Sequence, residues 1–187
     1  MDDEALGNLF RAQFRAVFQM LRWIIEHCGE HCWSDHLAEP AVWQQMVHVL
    51  WTTDRYLNRR PGERIHKPDF YLDGMECLDQ SDWPTPPTPR QMREYLDVVA
   101  KKCEARMDHF SLSAPDGKPH YQWTGPDPAQ RMIYTLRHAH QHIGWINSRL
   151  ARAAEKTVDW PCWSEQVGGY TLLEAPAKRV GAPLALK

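Results

Sequence analysis

Apolar residues recur at intervals of three and four along the first part of the chain. Between residues 3 and 28 this spacing is continuous, and it is typical of one buried face of an α-helix of about seven turns. Gly29 follows directly and is suited to end such a helix. The apolar positions of this first predicted helix are Leu6, Leu9, Phe10, Phe14, Val17, Phe18, Leu21, Ile24, Ile25 and Cys28.

Three later segments have the same helical period. Proline suits the first turn of a helix, as at Pro40, and an Asp-Pro pair such as Asp127 and Pro128 combines an N-cap side chain with a proline at the first helical position. The ranges predicted for these helices are 40–58, 90–110 and 127–155.

The segments between the helices have no clear period. A short connector is expected at 30–39, a long proline-rich loop at 59–89, and a second loop with turn signals at 111–127. Residues 156–187 are expected to form a largely irregular tail that lies on the helices or on a partner chain. The pattern therefore predicts an all-α fold: a four-helix bundle over residues 1–155, with long loops after helices two and three, and a C-terminal tail. Bundles of this kind hold metal sites between facing helices.

Composition narrows the class of protein. The chain has 187 residues, 43% apolar and 25% charged, which suits one globular domain. A formal charge of −2 gives no reason to expect a nucleic-acid partner. The acidic start is unlike a signal peptide, and no apolar run is long enough to span a membrane. Five cysteines, an odd number, indicate reduced thiols. We therefore expect a cytoplasmic protein without membrane contacts.

Three histidines alternate in the stretch RHAHQHIGW of the fourth predicted helix, at His138, His140 and His142. On a helix, His138 and His142 differ by about 40° in direction, whereas His140 lies about 160° from both. Two imidazoles one helical turn apart can bind the same ion, as in helical HxxxH zinc sites. We expect His140 to lie on a polar flank or to make a hydrogen bond to another helix instead.

A catalytic metal site needs a third ligand, which should come from another helix. The second predicted helix has one histidine, His48, at the edge of its apolar face. A single histidine in such a position is more often a hydrogen-bonded core residue. Its central position in the helix, and a facing histidine pair on helix four, favour the metal interpretation.

A second group of candidate ligands lies in HCGEHCWSDH, residues 27–36. It holds three histidines and two cysteines, but it has no CxxC, and Gly29 is expected to end the first helix between them. We therefore favour the interpretation that these residues belong to a helix end and a loop, and do not form a zinc site. A serine-hydrolase GxSxG motif and a phosphate-binding glycine loop are both absent from the sequence.

The sequence resembles the DinB-like superfamily of damage-inducible, YfiT-related four-helix bundles. The resemblance rests on HVLWTTDRYL in helix two and RHAHQHIGWINSRL in helix four, and it covers about residues 5–155. Family members have a histidine in helix two, then an aromatic-rich turn, and later HxxxHxG. This chain departs from the family at Trp145, where many members have glutamine. The resemblance implies a divalent metal, commonly zinc or nickel, held by His48, His138 and His142 with water completing the shell.

Characterised relatives include thiol-dependent transferases and isomerases, and many members form homodimers. The resemblance thus implies a metal-dependent enzyme, of the thiol S-transferase or hydrolase type, with a small-molecule substrate such as a low-molecular-weight thiol. Two alternatives remain open: a non-catalytic, metal-stabilised bundle acting through a homodimer or other protein contacts, and a metal-free bundle with polar histidines. The loops at 66–83 and around His120, Tyr121 and Trp123 either line the mouth of a pocket or pack on the surface.

Overall fold

Helices dominate the computed structural model, which describes residues 2–34, 40–60, 62–80, 83–113, 121–125, 127–154, 162–166 and 169–173. The four predicted long helices are all present, with ends within a few residues of the predicted ones. The helices are α1 (Asp3–His27), α2 (Glu30–Ser34), α3 (Val42–Leu57), α4 (Pro89–Asp108) and α5 (Pro128–Ala154), and Gln122–Thr124 forms a short 3-10 turn.

Aspartate side chains cap the starts of α1 and α5, and the sequence indicated the second of them, Asp127. Asp2 accepts a hydrogen bond from the backbone N–H of Ala5 at the start of α1. Asp127 accepts one from the N–H of Gln130 at the start of α5, at 2.9 Å. Such bonds satisfy N–H groups that have no partner inside a helix, and they fix where the helix begins.

The four long helices pack in pairs as a helical bundle. α1 contacts α4 and α5, and α3 contacts the same two helices. Their apolar faces form a single core, in which large side chains such as Phe14, Trp43, Leu96 and Met132 are almost completely buried. None of the helices that the structure describes is long and apolar enough to cross a membrane.

Part of the connector predicted at 30–39 forms the short helix α2. Trp33 in this short helix is buried, and its indole N–H donates a hydrogen bond to the carbonyl of Pro87 at 2.8 Å. Burial of a large aromatic ring stabilises a helix too short to be visible as a period in the sequence.

The tail was expected to be largely irregular, and ten of its residues form two short strands. Strands β1 (Cys162–Gln166) and β2 (Gly169–Leu173) pair antiparallel, with Trp163 opposite Leu172 and Glu165 opposite Tyr170. Aromatic and β-branched residues favour strands, and a two-residue connection is the commonest length in hairpins. The rest of the predicted tail, including its expected contacts with the bundle or a partner, lies outside the described residues.

The long loop between α3 and α4 is held against the bundle. Met75 is fully buried, and the side-chain amide of Gln44 on α3 donates to the carbonyls of Cys77, at 3.0 Å, and Gln80. At the start of the loop, the N–H of His66 donates to the buried carboxylate of Asp54 at 2.6 Å. These bonds fix the position of the loop backbone beside α3.

Candidate metal centre

The three histidines expected to bind metal lie together between α3 and α5. The Nε2 atom of His138 is 3.3 Å from Nε2 of His48 and 3.3 Å from Nε2 of His142. One nitrogen from each ring lies within 4.8 Å of the other two, and this is the group of metal-binding side chains found among the described residues. Helices separated by about ninety residues in the chain therefore bring the HxxxH pair and His48 to one point.

The nitrogen spacing fits a tetrahedral ion. Nitrogens bound to zinc at about 2.0–2.1 Å in a tetrahedral arrangement are about 3.3 Å apart. The Nε2 atom of His138 lies at this distance from the Nε2 atoms of His48 and His142. The rings are also inclined to one another, by 46° between His48 and His138 and by 64° between His138 and His142. Three inclined rings can all direct their Nε2 atoms at a common centre.

Hydrogen bonds on the far side of two rings fix which nitrogen carries the proton. His48 Nδ1 lies 2.6 Å from the carbonyl oxygen of Glu76, and His142 Nδ1 lies 2.6 Å from Oε1 of Gln45. A carbonyl oxygen can only accept a hydrogen bond, so both Nδ1 atoms are donors. In a neutral imidazole the Nε2 atom is then left with its lone pair, which is the form that binds a metal.

The third ring has a weaker partner of the same kind. The hydroxyl of Thr52 donates to the carbonyl of His48 at 2.7 Å, and its oxygen is 3.4 Å from Nδ1 of His138. Since the hydroxyl proton is already used, the oxygen is available to accept from His138 Nδ1–H. All three Nε2 atoms consequently present lone pairs to one another across a short gap.

Burial keeps the three imidazoles neutral. His142 is only 4% exposed, and the loss of solvent, with His48 and His138 nearby, lowers its pKa to about 3. Burial and the charge of a protonated His48 lower the pKa of His138 to about 4. Burial also lowers the pKa of His48, although its hydrogen bond to Glu76 opposes the shift. Protons therefore do not compete with a metal ion for these nitrogens at neutral pH.

Aromatic rings surround the histidines on the outer side. Tyr134 stacks on His138 with ring centroids 6.0 Å apart, and Tyr56 meets the same imidazole edge-on at 6.2 Å. Trp145 lies edge-on to His142 at 5.2 Å. These rings limit the rotation of the imidazoles and reduce their contact with water.

His140 lies apart from the group, as its helical direction predicts. Its Nδ1 lies 2.9 Å from the carbonyl of Leu136 on the same helix, and its side chain is half-buried. His140 stands two positions from each candidate ligand on α5 but does not belong to the group of three histidines. It is therefore a suitable control residue of the same type.

Sequence reasoning missed the three groups that hold the imidazoles. Gln45 and Thr52 stand three residues before and four after His48, so their spacing on the helix already places them on its face. The third group is the backbone carbonyl of Glu76, which every residue type possesses. Its position depends on the path of an irregular loop, and the sequence contains no signal for it.

The rival cluster at residues 27–36 has a structural role where the structure describes it. The ring of His27 stacks on Trp23 with centroids 4.4 Å apart, and its Nδ1 lies 2.9 Å from the Trp23 carbonyl. Cys28 and Cys32 are free cysteines, and burial raises the pKa of the Cys28 thiol to about 12, so it is not a thiolate at neutral pH. His36 and the side chain of His31 lie outside the described residues.

Comparisons with protein-family models, with curated proteins and with solved structures find no match to this chain.

Proposed function

We propose that this protein is a divalent-metal-dependent enzyme of the DinB-like class, in which α1, α3, α4 and α5 form the family's four-helix bundle. His48, His138 and His142 are the proposed ligands. The observation that carries the proposal is the convergence of three neutral imidazoles, each with its Nδ1 directed to a hydrogen-bond acceptor and its Nε2 directed to a common centre.

The donor set favours zinc or nickel as the ion. Imidazole nitrogens suit both metals, whereas calcium and magnesium prefer oxygen ligands. The group found among the described residues holds three histidines and no carboxylate or cysteine, so a tetrahedral ion would have one position left for a small molecule. When bound, the ion supplies a Lewis acid that stabilises the anionic form of a water molecule or of a thiol. A thiol S-transferase or a hydrolase is the reaction type that fits.

The protein's own contribution is orientation and exclusion of water. Gln45 and Glu76 hold the rings of His142 and His48, and Thr52 holds His138. Burial under the surrounding aromatic rings keeps the imidazoles unprotonated. The three nitrogens are then free to bind the metal ion on which a small-molecule substrate would act. Outer hydrogen bonds of this kind raise the basicity of ligand nitrogens and fix their direction.

A metal-free bundle fits the same contacts less well. Without an ion, His138 would have to carry its proton on Nε2 to bond one neighbour, and a single proton cannot satisfy both Nε2 atoms at 3.3 Å. Its Nδ1 would then need a donor, but the Thr52 hydroxyl already donates to the His48 carbonyl at 2.7 Å. One divalent ion accounts for all three lone pairs at once.

The metal content of the protein tests this assignment. Protein purified without a polyhistidine tag, stripped with a chelator and dialysed against zinc or nickel, should retain one ion per chain when measured by plasma mass spectrometry. The His138→Ala/His142→Ala double variant and His48→Ala should lose the ion, whereas His140→Ala, the matched control on α5, should keep it. Equal and negligible metal in wild type and the double variant would overturn the proposal.

Turnover separates the enzyme from the non-catalytic alternative. The metal-loaded protein should act on part of a panel of low-molecular-weight thiols with electrophilic acceptors, or of simple esters, and His48→Ala should abolish that activity. Stoichiometric metal without turnover across both panels would favour a metal-stabilised bundle that acts through a homodimer or another protein partner.

A further inference from the structure

Arg55 is a half-buried arginine whose donors have no acceptor among the described residues. Its guanidinium carbon lies over two aromatic rings, 5.1 Å from the centroid of Trp51 and 4.9 Å from that of Tyr121. Contacts with ring faces attract the positive charge, but they do not use the five N–H donors of a guanidinium. A guanidinium is suited to bind a carboxylate or a phosphate, because its planar fork of donors matches their oxygens.

A second unpartnered donor lies beside it. The indole N–H of Trp51, whose ring contacts Arg55, is buried without a hydrogen-bond acceptor in the described part of the chain. A buried N–H without an acceptor costs stability, which is the reason that such groups are rare. The Trp51 N–H has no exposed surface, whereas none of the Arg55 nitrogens is among the buried atoms without a partner. An external acceptor can therefore reach Arg55 but not the Trp51 N–H.

Aromatic rings connect Arg55 with the histidine centre. Tyr121, which contacts Arg55, meets the ring of Tyr56 edge-on at 5.4 Å, and Tyr56 in turn meets His138 at 6.2 Å. Arg55 also stands seven residues after His48 on α3, almost two full helical turns, so the two residues share a face with backbones about 10 Å apart. The guanidinium and the three Nε2 atoms therefore lie at the two ends of one aromatic wall.

We propose that Arg55 binds an oxyanion group, a carboxylate or a phosphate, of the small molecule whose other end reaches the histidine centre. The inference rests on the metal function proposed above and assigns the substrate class: a molecule with a metal-binding donor, such as a thiol, and an oxyanion separated from it by about 10 Å, the rise of two helical turns. Arg55 then selects the substrate, and the histidines hold the metal that acts on it.

Binding of thiols to the cobalt-loaded protein tests the role of Arg55 without an activity assay. A thiolate on cobalt(II) gives a charge-transfer absorption band, which reports the dissociation constant. The probes are ω-mercaptoalkanoates of increasing chain length and the ω-mercaptoalkyl phosphates, each compared with the neutral ω-mercaptoalcohol of equal length. In wild type one of the anions should bind more tightly than its alcohol by about tenfold or more, the effect of a charge-assisted hydrogen bond.

Substitution of Arg55 should remove that preference alone. Arg55→Gln should bind the anion and the alcohol equally, with the dissociation constant of the alcohol unchanged, and Arg55→Lys should retain part of the preference. Arg137→Gln is the matched control, because Arg137 is exposed and its guanidinium also lies over a ring, 5.7 Å from the centroid of Tyr134. This variant should keep the full preference.

The results distinguish the two proposals. A protein that takes up no cobalt contradicts the metal function itself. Cobalt uptake with normal binding of neutral thiols, but an unchanged anion preference in Arg55→Gln, overturns the role of Arg55 and leaves the metal site standing. Equal loss of preference in Arg137→Gln would show a general effect of positive charge, and weaker alcohol binding in Arg55→Gln would show a packing role; either outcome also overturns the inference. The carboxylate and phosphate series identify which oxyanion binds.

Discussion

The hydrogen bond at each Nδ1 atom decides what the opposite nitrogen of the same imidazole can do. His48 and His142 donate to oxygens that can only accept, and that fixes their Nε2 atoms as acceptors. His140, two residues from each member of the HxxxH pair, also has an Nδ1 contact, but it does not belong to the three-histidine group. The direction of the side chain on the helix, and not the residue type, therefore separates the candidate ligands on α5 from their neighbour.

Loss of the Gln45 acceptor should weaken metal binding. Gln45→Leu leaves the Nδ1–H of His142 without its partner and frees the imidazole to rotate or change tautomer. Substitutions of such outer groups typically reduce metal affinity by about 10–100-fold, and we expect the zinc affinity to fall in that range. Competition with a chromophoric chelator measures it.

Gln141→Leu is the matched control for this change, since Gln141 is exposed on α5 next to His142. It should leave the zinc affinity unchanged. Equal affinities for wild type and Gln45→Leu would mean that the Gln45 bond does not orient the imidazole.

The stability of the metal-free protein should decrease in mild acid. Burial lowers the pKa of His142 to about 3 and that of His138 to about 4, whereas both titrate near their ordinary value of 6.5 in the unfolded chain. Below pH 6.5 the unfolded state therefore binds more protons than the native state. The stability is fully present above pH 6.5 and is lost as pH falls toward these native values, by up to about 1.4 kcal/mol per pH unit for each histidine.

Urea unfolding of the chelator-treated protein at several values between neutral pH and pH 5 measures this slope. A His138→Leu/His142→Leu variant, which lacks both titrating groups, should show a shallower dependence. Identical slopes in the two proteins would contradict the assignment of the pH dependence to these imidazoles.

At the scale of helices and strands, periodic segments were predictable and aperiodic ones were not. The apolar period and the Asp127–Pro128 start gave the long helices, and the spacing of His138 and His142 gave their shared direction. The short helix α2 depends on burial of Trp33, a tertiary contact, and the hairpin of β1 and β2 depends on pairing between two segments. The carbonyl of Glu76 depends on a loop path that no local pattern in the sequence determines.

The crossing of α1 and α4 should be sensitive to a single methyl group. A Cβ added at Gly7 would lie 2.6 Å from the carbonyl oxygen of Met107 and 3.2 Å from Cβ of Phe110. Alanine is favoured over glycine inside a helix by about 1 kcal/mol, but the clash opposes this gain and forces the helices apart. We therefore expect Gly7→Ala to lower the free energy of unfolding, measured by urea denaturation.

Gly144→Ala provides the opposite result on α5. No atom lies within 4 Å of a Cβ built at Gly144, so only the helix preference acts, and the variant should be more stable by up to about 1 kcal/mol. Gly144 is also the glycine of the HxxxHxG pattern, and unchanged metal content in this variant would show that the pattern's glycine is not needed for the site.

A stabilising Gly7→Ala would contradict the close approach of α1 and α4.

Across the whole molecule, the candidate site lies between α3 and α5, whereas exposed ion pairs join α1 to α4. The three histidines and the groups that hold them belong to α3, α5 and the loop after α3. The other side, between α1 and α4, is joined by ion pairs, including Arg15 with Glu104 at 2.6 Å and Arg22 with Asp97 at 2.5 Å. Exposed pairs of this kind contribute little to stability and mainly favour one alignment of the helices.

Bound metal should therefore stabilise α3, α5 and the loop after α3 more than α1 and α4. At a free zinc concentration about 100 times the dissociation constant, binding raises the free energy of unfolding by about 2.7 kcal/mol. Local opening that separates His48 from the HxxxH pair, or that breaks its bond to the Glu76 carbonyl, must release the ion. Fluctuations of α3, α5 and the loop around Glu76 are thus opposed by zinc, whereas fraying between α1 and α4 leaves the ligands in place.

Hydrogen exchange followed by mass spectrometry measures this difference. With zinc, peptides from α3, α5 and the loop segment around Glu76 should exchange more slowly, while sub-global exchange at the ends of α1 and α4 should change little. The His138→Ala/His142→Ala variant should show no zinc effect in any peptide, and His140→Ala should behave as wild type. Uniform protection of all helices would mean that α3 and α5 open only together with α1 and α4, because the site would then report on a single cooperative unit.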